Sequence, residues 1–108
     1  MQVTKIICGI AHTALILKDG NVKLFGKNTG GQISDYVSEG FKVAQVSCGA
    51  SHTGILFDDG HVLLFGANFC GQCEVPNLNG NLVTQVSCGV AHTGLLLDDG
   101  SVKIFGAN

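Results

Sequence analysis

The sequence predicts an all-β fold assembled from repeated units. The first observation is that residues 3–28, 43–68 and 83–108 repeat one pattern at a constant offset of 40 residues, without gaps. The second is that each unit places an Asp-Gly pair between two short apolar runs, at Asp19-Gly20, Asp59-Gly60 and Asp99-Gly100. Constant periods of this length are typical of repeat architectures, in which each unit buries its apolar face on a neighbour.

Each repeat predicts three antiparallel strands. The apolar runs on either side of Asp-Gly predict a β-hairpin with a type I′ turn, because both central residues of that turn need positive φ. A further strand precedes each hairpin and ends at a Cys-Gly pair, where the glycine is expected to make the sharp turn. The predicted strands are 3–8, 12–17 and 22–26, then 43–48, 52–57 and 61–66, then 83–88, 92–97 and 101–105.

The segments between the repeats are less regular. Residues 29–42 and 69–82 share little beyond Gly31-Gln32 and Gly71-Gln72. A short fourth strand is possible near 33–37 and 73–76, although Pro76 would restrict the second to a sheet edge. The units therefore span about residues 3–42, 43–82 and 83–108 of a single repeat domain.

The strand centres indicate how the units are arranged. ALIL, GILF and GLLL are apolar without alternation, which predicts sheets covered on both faces. Three or four antiparallel strands per repeat describe a β-propeller blade. A parallel β-helix is the competing architecture, but it usually has shorter coils and has no need of Asp-Gly hairpins.

Composition excludes several functions. The net charge is −2, and the six basic residues are scattered lysines without any arginine, which argues against nucleic-acid binding. The sequence contains no run of 18 consecutive apolar residues, so no membrane-spanning segment is expected. Five cysteines, three of them at equivalent positions in the repeats, favour buried free thiols and an intracellular location, cytoplasmic or nuclear, over a disulfide framework.

Some residues could carry chemistry. Cys8/His12, Cys48/His52 and Cys88/His92 form C-x₃-H pairs, but each unit supplies only two of the four ligands of a structural zinc site. We expect instead a buried cysteine and a hydrogen-bonded histidine that shape the turn. Cys70 and Cys73 form an isolated C-x₂-C, and the Asp58-Asp59 and Asp98-Asp99 pairs are explained by turn chemistry. The expectation is no metal, no cofactor and no enzyme.

The recurring residues resemble a known signature. V-x-x-[VI]-x-C-G-x-x-H-T, then D-G-x-V-x-x-F-G-x-N, then G-Q, is similar to the RCC1 repeat, the repeat of the regulator of chromosome condensation family. The resemblance covers residues 3–108 and implies a β-propeller closed by a ring of such blades. It also implies either an interaction module or a guanine-nucleotide exchange factor for a small GTPase. The tight period leaves no room for the inserted hairpin on which exchange depends in the founding member, so no exchange residue is carried over.

The resemblance raises the question of ring closure. Fewer than three full units cannot close a ring, whereas two copies would give six blades, within the usual range of about 4–8. We therefore predict a homodimer that closes one ring, with a fragment of a longer propeller as the alternative. The favoured function is a non-enzymatic protein–protein interaction scaffold for an unknown protein partner, and the candidate contact residues lie in the divergent segments: Asp35, Tyr36, Glu39, Glu74 and Asn77.

Overall fold

The fold consists of three small antiparallel sheets. It is described from a computed structural model, in which residues 2–26 and 42–107 are described. Within these ranges each sheet has three strands paired in chain order, and we call the sheets blades 1, 2 and 3. The strands are β1 (Val3–Cys8), β2 (His12–Leu17) and β3 (Val22–Gly26) in blade 1, β4 (Val43–Cys48), β5 (His52–Phe57) and β6 (Val62–Gly66) in blade 2, and β7 (Val83–Cys88), β8 (His92–Leu97) and β9 (Val102–Gly106) in blade 3. The predicted all-β propeller blades are confirmed, and every predicted core strand matches to within a residue.

The hairpin between the second and third strands differs from the prediction. It has a three-residue loop, in which the N–H of Gly20 donates to the carbonyl of Leu17 and the N–H of Leu17 donates to the carbonyl of Asn21. Only the glycine has positive φ, at 90° in blade 1. The predicted type I′ turn is therefore wrong, because Asp19 keeps negative φ while its carboxylate accepts the N–H of Asn21 at 3.0 Å. A tight turn followed by a left-handed glycine is the usual three-residue alternative.

The predicted fourth strand is absent where the structure can test it. Residues 33–37 lie outside the described residues, and residues 73–76 form no strand. The backbone groups there serve local turns instead, since the N–H of Cys73 donates to Oδ1 of Asn68 at 2.8 Å and the N–H of Glu74 donates to the carbonyl of Gly71. Pro76 removes a further donor that a strand ladder would need.

The apolar core lies between the blades. One buried cluster joins Ala14, Val22 and Leu24 of blade 1 to Val46 and Ile55 of blade 2. A second cluster joins Leu56 of blade 2 to blade 3, through Val83, Val86, Leu95 and Leu97. Ile55 and its neighbour Leu56 thus point to opposite faces of β5, as the period of two along a strand requires.

Among the residues that the structure describes, only those of the middle blade are covered on both faces of their sheet. Five of the six residues of β5 are buried, whereas buried and less buried residues alternate along most of β2 and β8. The expectation of two covered faces is thus met in blade 2, while blades 1 and 3 each keep one face open. None of the residues in 2–26 and 42–107 forms a helix that could cross a membrane.

Two equivalent turn glycines allow a test of the contact between blades 2 and 3. Gly60 and Gly100 both have positive φ, but a Cβ on Gly60 would lie 2.6 Å from Cβ of Leu82, whereas a Cβ on Gly100 would meet nothing within 4 Å. Gly100→Ala should lower the free energy of unfolding by about 1 kcal/mol, from backbone strain alone. Gly60→Ala should cost about 1–3 kcal/mol more, because Leu82 must shift. Urea denaturation of both variants measures the difference, and equal losses would contradict the contact.

Candidate functional site

The five candidate contact residues divide into two groups. Asp35, Tyr36 and Glu39 lie outside the described residues. Glu74 and Asn77 are exposed in the segment 67–82, which we call the 67–82 loop. Oε1 of Glu74 accepts from Nδ2 of Asn68 at 3.4 Å, and Oδ1 of Asn77 accepts the N–H of Asn79 at 2.9 Å. Both side chains are therefore accessible and also take part in local turns.

The most exposed apolar residue of the described chain was missed by the sequence reasoning. Phe69 follows Ala67-Asn68 in the 67–82 loop and is 95% exposed. Nearby, Val75 is 40% exposed. The one signal in the sequence is that Thr29 stands at the equivalent position of the segment 29–42, but the exposure of Phe69 follows from how the 67–82 loop folds.

The 67–82 loop is held in place by Gln72. This residue is 3% exposed, and its Oε1 accepts the N–H of Cys70 at 3.0 Å. Its backbone carbonyl accepts the hydroxyl of Thr93 in blade 3 at 2.6 Å. The Gly-Gln element is therefore the anchor that ties the loop to the following blade.

The histidines of the C-x₃-H pairs connect neighbouring blades. Nε2 of His12 lies 3.0 Å from Oγ1 of Thr53, and Nε2 of His52 lies 3.0 Å from Oγ1 of Thr93. Since the Thr93 hydroxyl gives its hydrogen to Gln72, its oxygen must accept from His52, and this places the imidazole proton on Nε2. His12 and His52 are hydrogen-bonded as expected, but their partners lie in the next blade rather than in the turn, whereas His92 is exposed and has no such bond among the described residues.

Burial sets the protonation of these histidines. His12 and His52 are 3% and 0% exposed. Burial lowers the pKa of both below 6.5, against a smaller opposing effect from the backbone of the next histidine. Nδ1 of each has no hydrogen-bond partner among the described residues. Both imidazoles are therefore neutral links between blades.

The cysteines differ in burial: Cys48 is buried, Cys73 and Cys88 are partly buried, and Cys8 and Cys70 are exposed, so the expectation of a buried cysteine in each C-x₃-H pair is wrong for Cys8. All five are free. Burial raises the pKa of Cys48 to about 11 and that of Cys88 to about 12, and reactivity depends on the thiolate. In the isolated C-x₂-C pair, Sγ of Cys73 donates to the carbonyl of Ala67 at 3.4 Å. No group of three or more potential metal ligands occurs within the two described ranges.

The acidic pairs serve the hairpin turns. Oδ1 of Asp59 accepts the N–H of His61, and Oδ1 of Asp99 accepts the N–H of Ser101. The hydrogen bond from the His61 N–H lowers the pKa of Asp59, and the hydrogen bonds from the Ser101 hydroxyl and then from its N–H lower the pKa of Asp99. Asp58 is only loosely paired with Lys42, at 4.0 Å on the surface.

The two outer faces expose positions that are buried between blades elsewhere. On β1, Ile6 is 64% exposed, whereas the equivalent Val46 and Val86 are 3% and 4% exposed. On β9, Ile104 is 64% exposed, whereas the equivalent Leu24 is 4% exposed. Among the described residues no blade covers these two outer faces, although they carry the same kinds of apolar side chain as the faces that meet between blades.

The Thr93 hydroxyl can be tested by removing it. Thr93→Val keeps the volume but leaves the His52 donor and the Gln72 carbonyl without their buried partner, so the free energy of unfolding should fall by about 2–4 kcal/mol. Thr93→Ser keeps the hydroxyl and should cost roughly 1 kcal/mol or less. Chemical denaturation checks both, and equal losses for the two variants would show that the methyl group matters more than the hydrogen bonds.

The neutral histidines predict a pH dependence. Because their folded pKa lies below 6.5, the unfolded chain binds more protons as the pH falls below this value. Their contribution to stability is complete above about pH 6.5 and is lost as the pH falls towards the folded pKa, by about 1.4 kcal/mol for each unit of pKa shift. His52→Gln, which keeps a donor near the Nε2 position, should show a smaller loss of stability between pH 7.5 and 5.5 than the unmodified chain. Urea midpoints at the two pH values measure this, and identical losses would exclude His52 as the titrating group.

Comparison with known proteins supports the same fold. Residues 43–72 match the family model of the regulator of chromosome condensation (RCC1) repeat. No curated protein sequence matches the chain.

Solved structures match across nearly the whole chain. Human WBSCR16 has a TM-score of 0.84 at 20% identity, covering 97% of this chain and 33% of that one. Prp20p from Saccharomyces cerevisiae has a TM-score of 0.84 at 20% identity, covering 97% and 32%. The CRINKLY WD40 ectodomain of the Arabidopsis thaliana receptor kinase ACR4 has a TM-score of 0.74 at 16% identity, covering 97% and 37%.

These likenesses bear on the fold, and the chain spans about a third of the length of the structures it matches. Three residues of the repeat signature, His52, Thr93 and Gln72, join one blade to the next through hydrogen bonds. The chain therefore carries the RCC1 repeat, at residues 43–72, and its three sheets are blades of the RCC1 β-propeller type.

Proposed function

We propose that the chain is a non-enzymatic protein–protein interaction scaffold, in which RCC1-type blades present the 67–82 loop to a protein partner. The observation that carries the proposal is Phe69, which is 95% exposed on a loop fixed by buried Gln72. Aromatic side chains dominate binding energy at protein interfaces. Loops positioned by a rigid scaffold are the usual carriers of binding function.

The local structure favours a preformed contact. Asn68 accepts the N–H of Cys73 at 2.8 Å on one side of Phe69, and Gln72 accepts the N–H of Cys70 on the other. A loop that is already ordered loses little conformational entropy on binding. Glu74 and Asn77, exposed in the same loop, would supply the polar rim, and Asp35, Tyr36 and Glu39 of the first linker are proposed as further contacts.

The repeat's own polar residues support a non-enzymatic role. His12, His52 and Thr93 are engaged in contacts between blades, and the Cys48 and Cys88 thiols have raised pKa values. The histidine and threonine side chains therefore stabilise the packing between blades, and the two thiols are poor nucleophiles. The proposal includes no cofactor, no metal and no nucleic acid, and places the protein in the cytoplasm or nucleus.

Ring closure is part of the same proposal. Two copies of the chain would supply six blades, and each copy would cover the open faces of the other. The support is the exposure of Ile6 and Ile104 at positions that are buried between blades elsewhere. The alternative is that the three blades form part of a longer propeller. It agrees with the observation that the chain covers only about a third of each matched structure.

Regulation of a small GTPase is the second candidate function. It is favoured by the likeness to Prp20p, whose crystal structure is described together with binding to Gsp1p and histones. A nucleotide-release assay with a panel of GTPases tests it. Acceleration of release by the unmodified chain would favour this function over the scaffold.

The scaffold proposal predicts that partner capture depends on Phe69. Phe69→Ser removes the aromatic ring at an exposed site, so the fold should be unaffected. Affinity for a specific partner should fall by roughly 30-fold, the size expected for an interface hot spot of about 2 kcal/mol. Leu63→Ser is the matched control, since Leu63 is an exposed apolar residue on β6, 38% exposed.

The measurement is quantitative mass spectrometry of proteins captured from a native extract, followed by titration of the purified partner. A partner lost with Phe69→Ser and retained with Leu63→Ser would support the proposal. Equal recovery of every captured protein by both variants would exclude the 67–82 loop as the contact.

A further inference from the structure

We infer that the open face of blade 3 receives β1 of a second copy of the chain, through the contacts that join blade 2 to blade 3. This inference rests on the proposed ring closure and specifies its interface. It is argued from three sets of contacts within the chain, each of which has an unpaired counterpart on the outer faces.

The first set consists of two side-chain hydrogen-bond acceptors on β4, the first strand of blade 2. Oε1 of Gln45 accepts the N–H of Val86 at 2.7 Å, and Oγ of Ser47 accepts the N–H of Cys88 at 2.9 Å. These bonds cap the edge of β7 from the preceding blade. In blade 3, the equivalent acceptors are Gln85 and Ser87, and both are exposed.

The donors that would match them lie at the other end of the same chain. Ile6 and Cys8 of β1 are the equivalents of Val86 and Cys88, and both are exposed. The edge of β1 thus repeats the edge of β7, and no blade among the described residues caps it. Gln85 would accept from Ile6, and Ser87 would accept from Cys8.

The second set is the close packing of blade 3 against Gly54 in β5, the middle strand of blade 2. A Cβ on Gly54 would lie 3.1 Å from Cγ2 of Val86 and 3.2 Å from Sγ of Cys88. The missing side chain therefore makes room for the next blade. A Cβ on Gly94, the equivalent in blade 3, would have only the carbonyl of Ser87 nearby, at 3.9 Å.

Gly94 lies in an open groove on blade 3. The groove has a volume of about 260 Å³ and is lined by Gln85, Ser87, Gly94, Leu95, Val102 and Ile104, among others. It is lined mainly by apolar surface together with the two acceptor side chains. By equivalence with blade 2, the groove would take the side chains of Ile6 and Cys8.

The third set is the histidine–threonine hydrogen bond. His12 and His52 each reach a threonine of the following blade. His92 is the third histidine of the series and is exposed, while Thr13 of blade 1 is only partly buried, unlike Thr53 and Thr93. His92 of one copy would therefore pair with Thr13 of the next.

The complementarity selects a second copy as the occupant. Blade 3 offers acceptors, a gap and a histidine, whereas blade 1 offers the matching donors, apolar side chains and threonine, so the contact runs head to tail. A head-to-tail contact closes when the rotation between copies allows. Two copies then share two identical contacts and complete a ring of six blades.

The test uses two variants that block opposite sides of this contact. Gly94→Leu fills the groove, where its own chain leaves space, and Ile6→Asp places a charge on a side chain that its own chain leaves 64% exposed. The unmodified chain should have twice the 11.2 kDa of one copy in light scattering. Each variant alone should be monomeric, since both contacts of its dimer carry one blocked side.

An equimolar mixture of the two variants should again form dimers. One contact of the mixed pair combines both blocked sides, and the other is intact. The mixture should therefore associate at least about tenfold more tightly than either variant alone, although more weakly than the unmodified chain. Phe69→Asp is the control, because it places the same charge on an exposed apolar residue outside both faces, and it should stay dimeric. Far-ultraviolet circular dichroism verifies that each variant keeps its strands.

Three results would overturn the inference. They are a monomeric unmodified chain at every concentration, a mixture that stays monomeric, and a Phe69→Asp variant that dissociates as readily as Ile6→Asp. A monomer that still captures its partner through Phe69 would overturn only the ring contact, and a dimer without partner capture would overturn only the scaffold function.

Discussion

The packing of one blade against the next is the interaction on which the rest of the structure depends. A three-stranded sheet of this size cannot form a core alone, and both buried clusters lie between blades rather than within one. β5 contributes to both clusters through neighbouring residues, Ile55 and Leu56, which point to opposite faces. This arrangement explains why GILF of β5 is apolar without alternation, because a sheet between two others has no face left for water.

The polar residues of the repeat act in the same interfaces. His52, Thr93 and Gln72 form a chain of hydrogen bonds from one blade, through the next, to the loop between them. Apolar packing is not directional, whereas these bonds are, so they fix the register between blades. They also explain why a histidine tolerates full burial, since its pKa falls and the neutral ring keeps one satisfied nitrogen. The repeat motif thus serves assembly, and the function is left to the loops and the outer faces.

Several of these roles lay beyond sequence reasoning for a specific physical reason. The Cys-Gly glycine opens a turn as expected, since the N–H of Gly9 donates to the carbonyl of His12. A Cβ on Gly9 would also lie 2.7 Å from Cβ of Cys48, so its small size also serves the approach of the next blade. His12 was expected to act in its own turn, because local spacing does not reveal that its hydrogen-bond partner, Thr53, lies in the next repeat, 41 residues away. Phe69 was passed over since it belongs to no repeat position, and its exposure follows from how the 67–82 loop folds.

The sequence by itself determined the unit: its period, its three strands, its turn positions and its likeness to the RCC1 repeat. These features follow from local rules, in which side-chain alternation and the φ preferences of Asp-Gly act over a few residues. Only the tertiary structure decided the turn geometry, the absence of a strand at 73–76, the pairing of His52 with Thr93 and the contrast between covered and open faces. Those features depend on which surfaces meet. Equivalent strands of similar sequence therefore differ in burial, because β5 packs against a blade on each face, whereas β2 and β8 pack against a blade on one face.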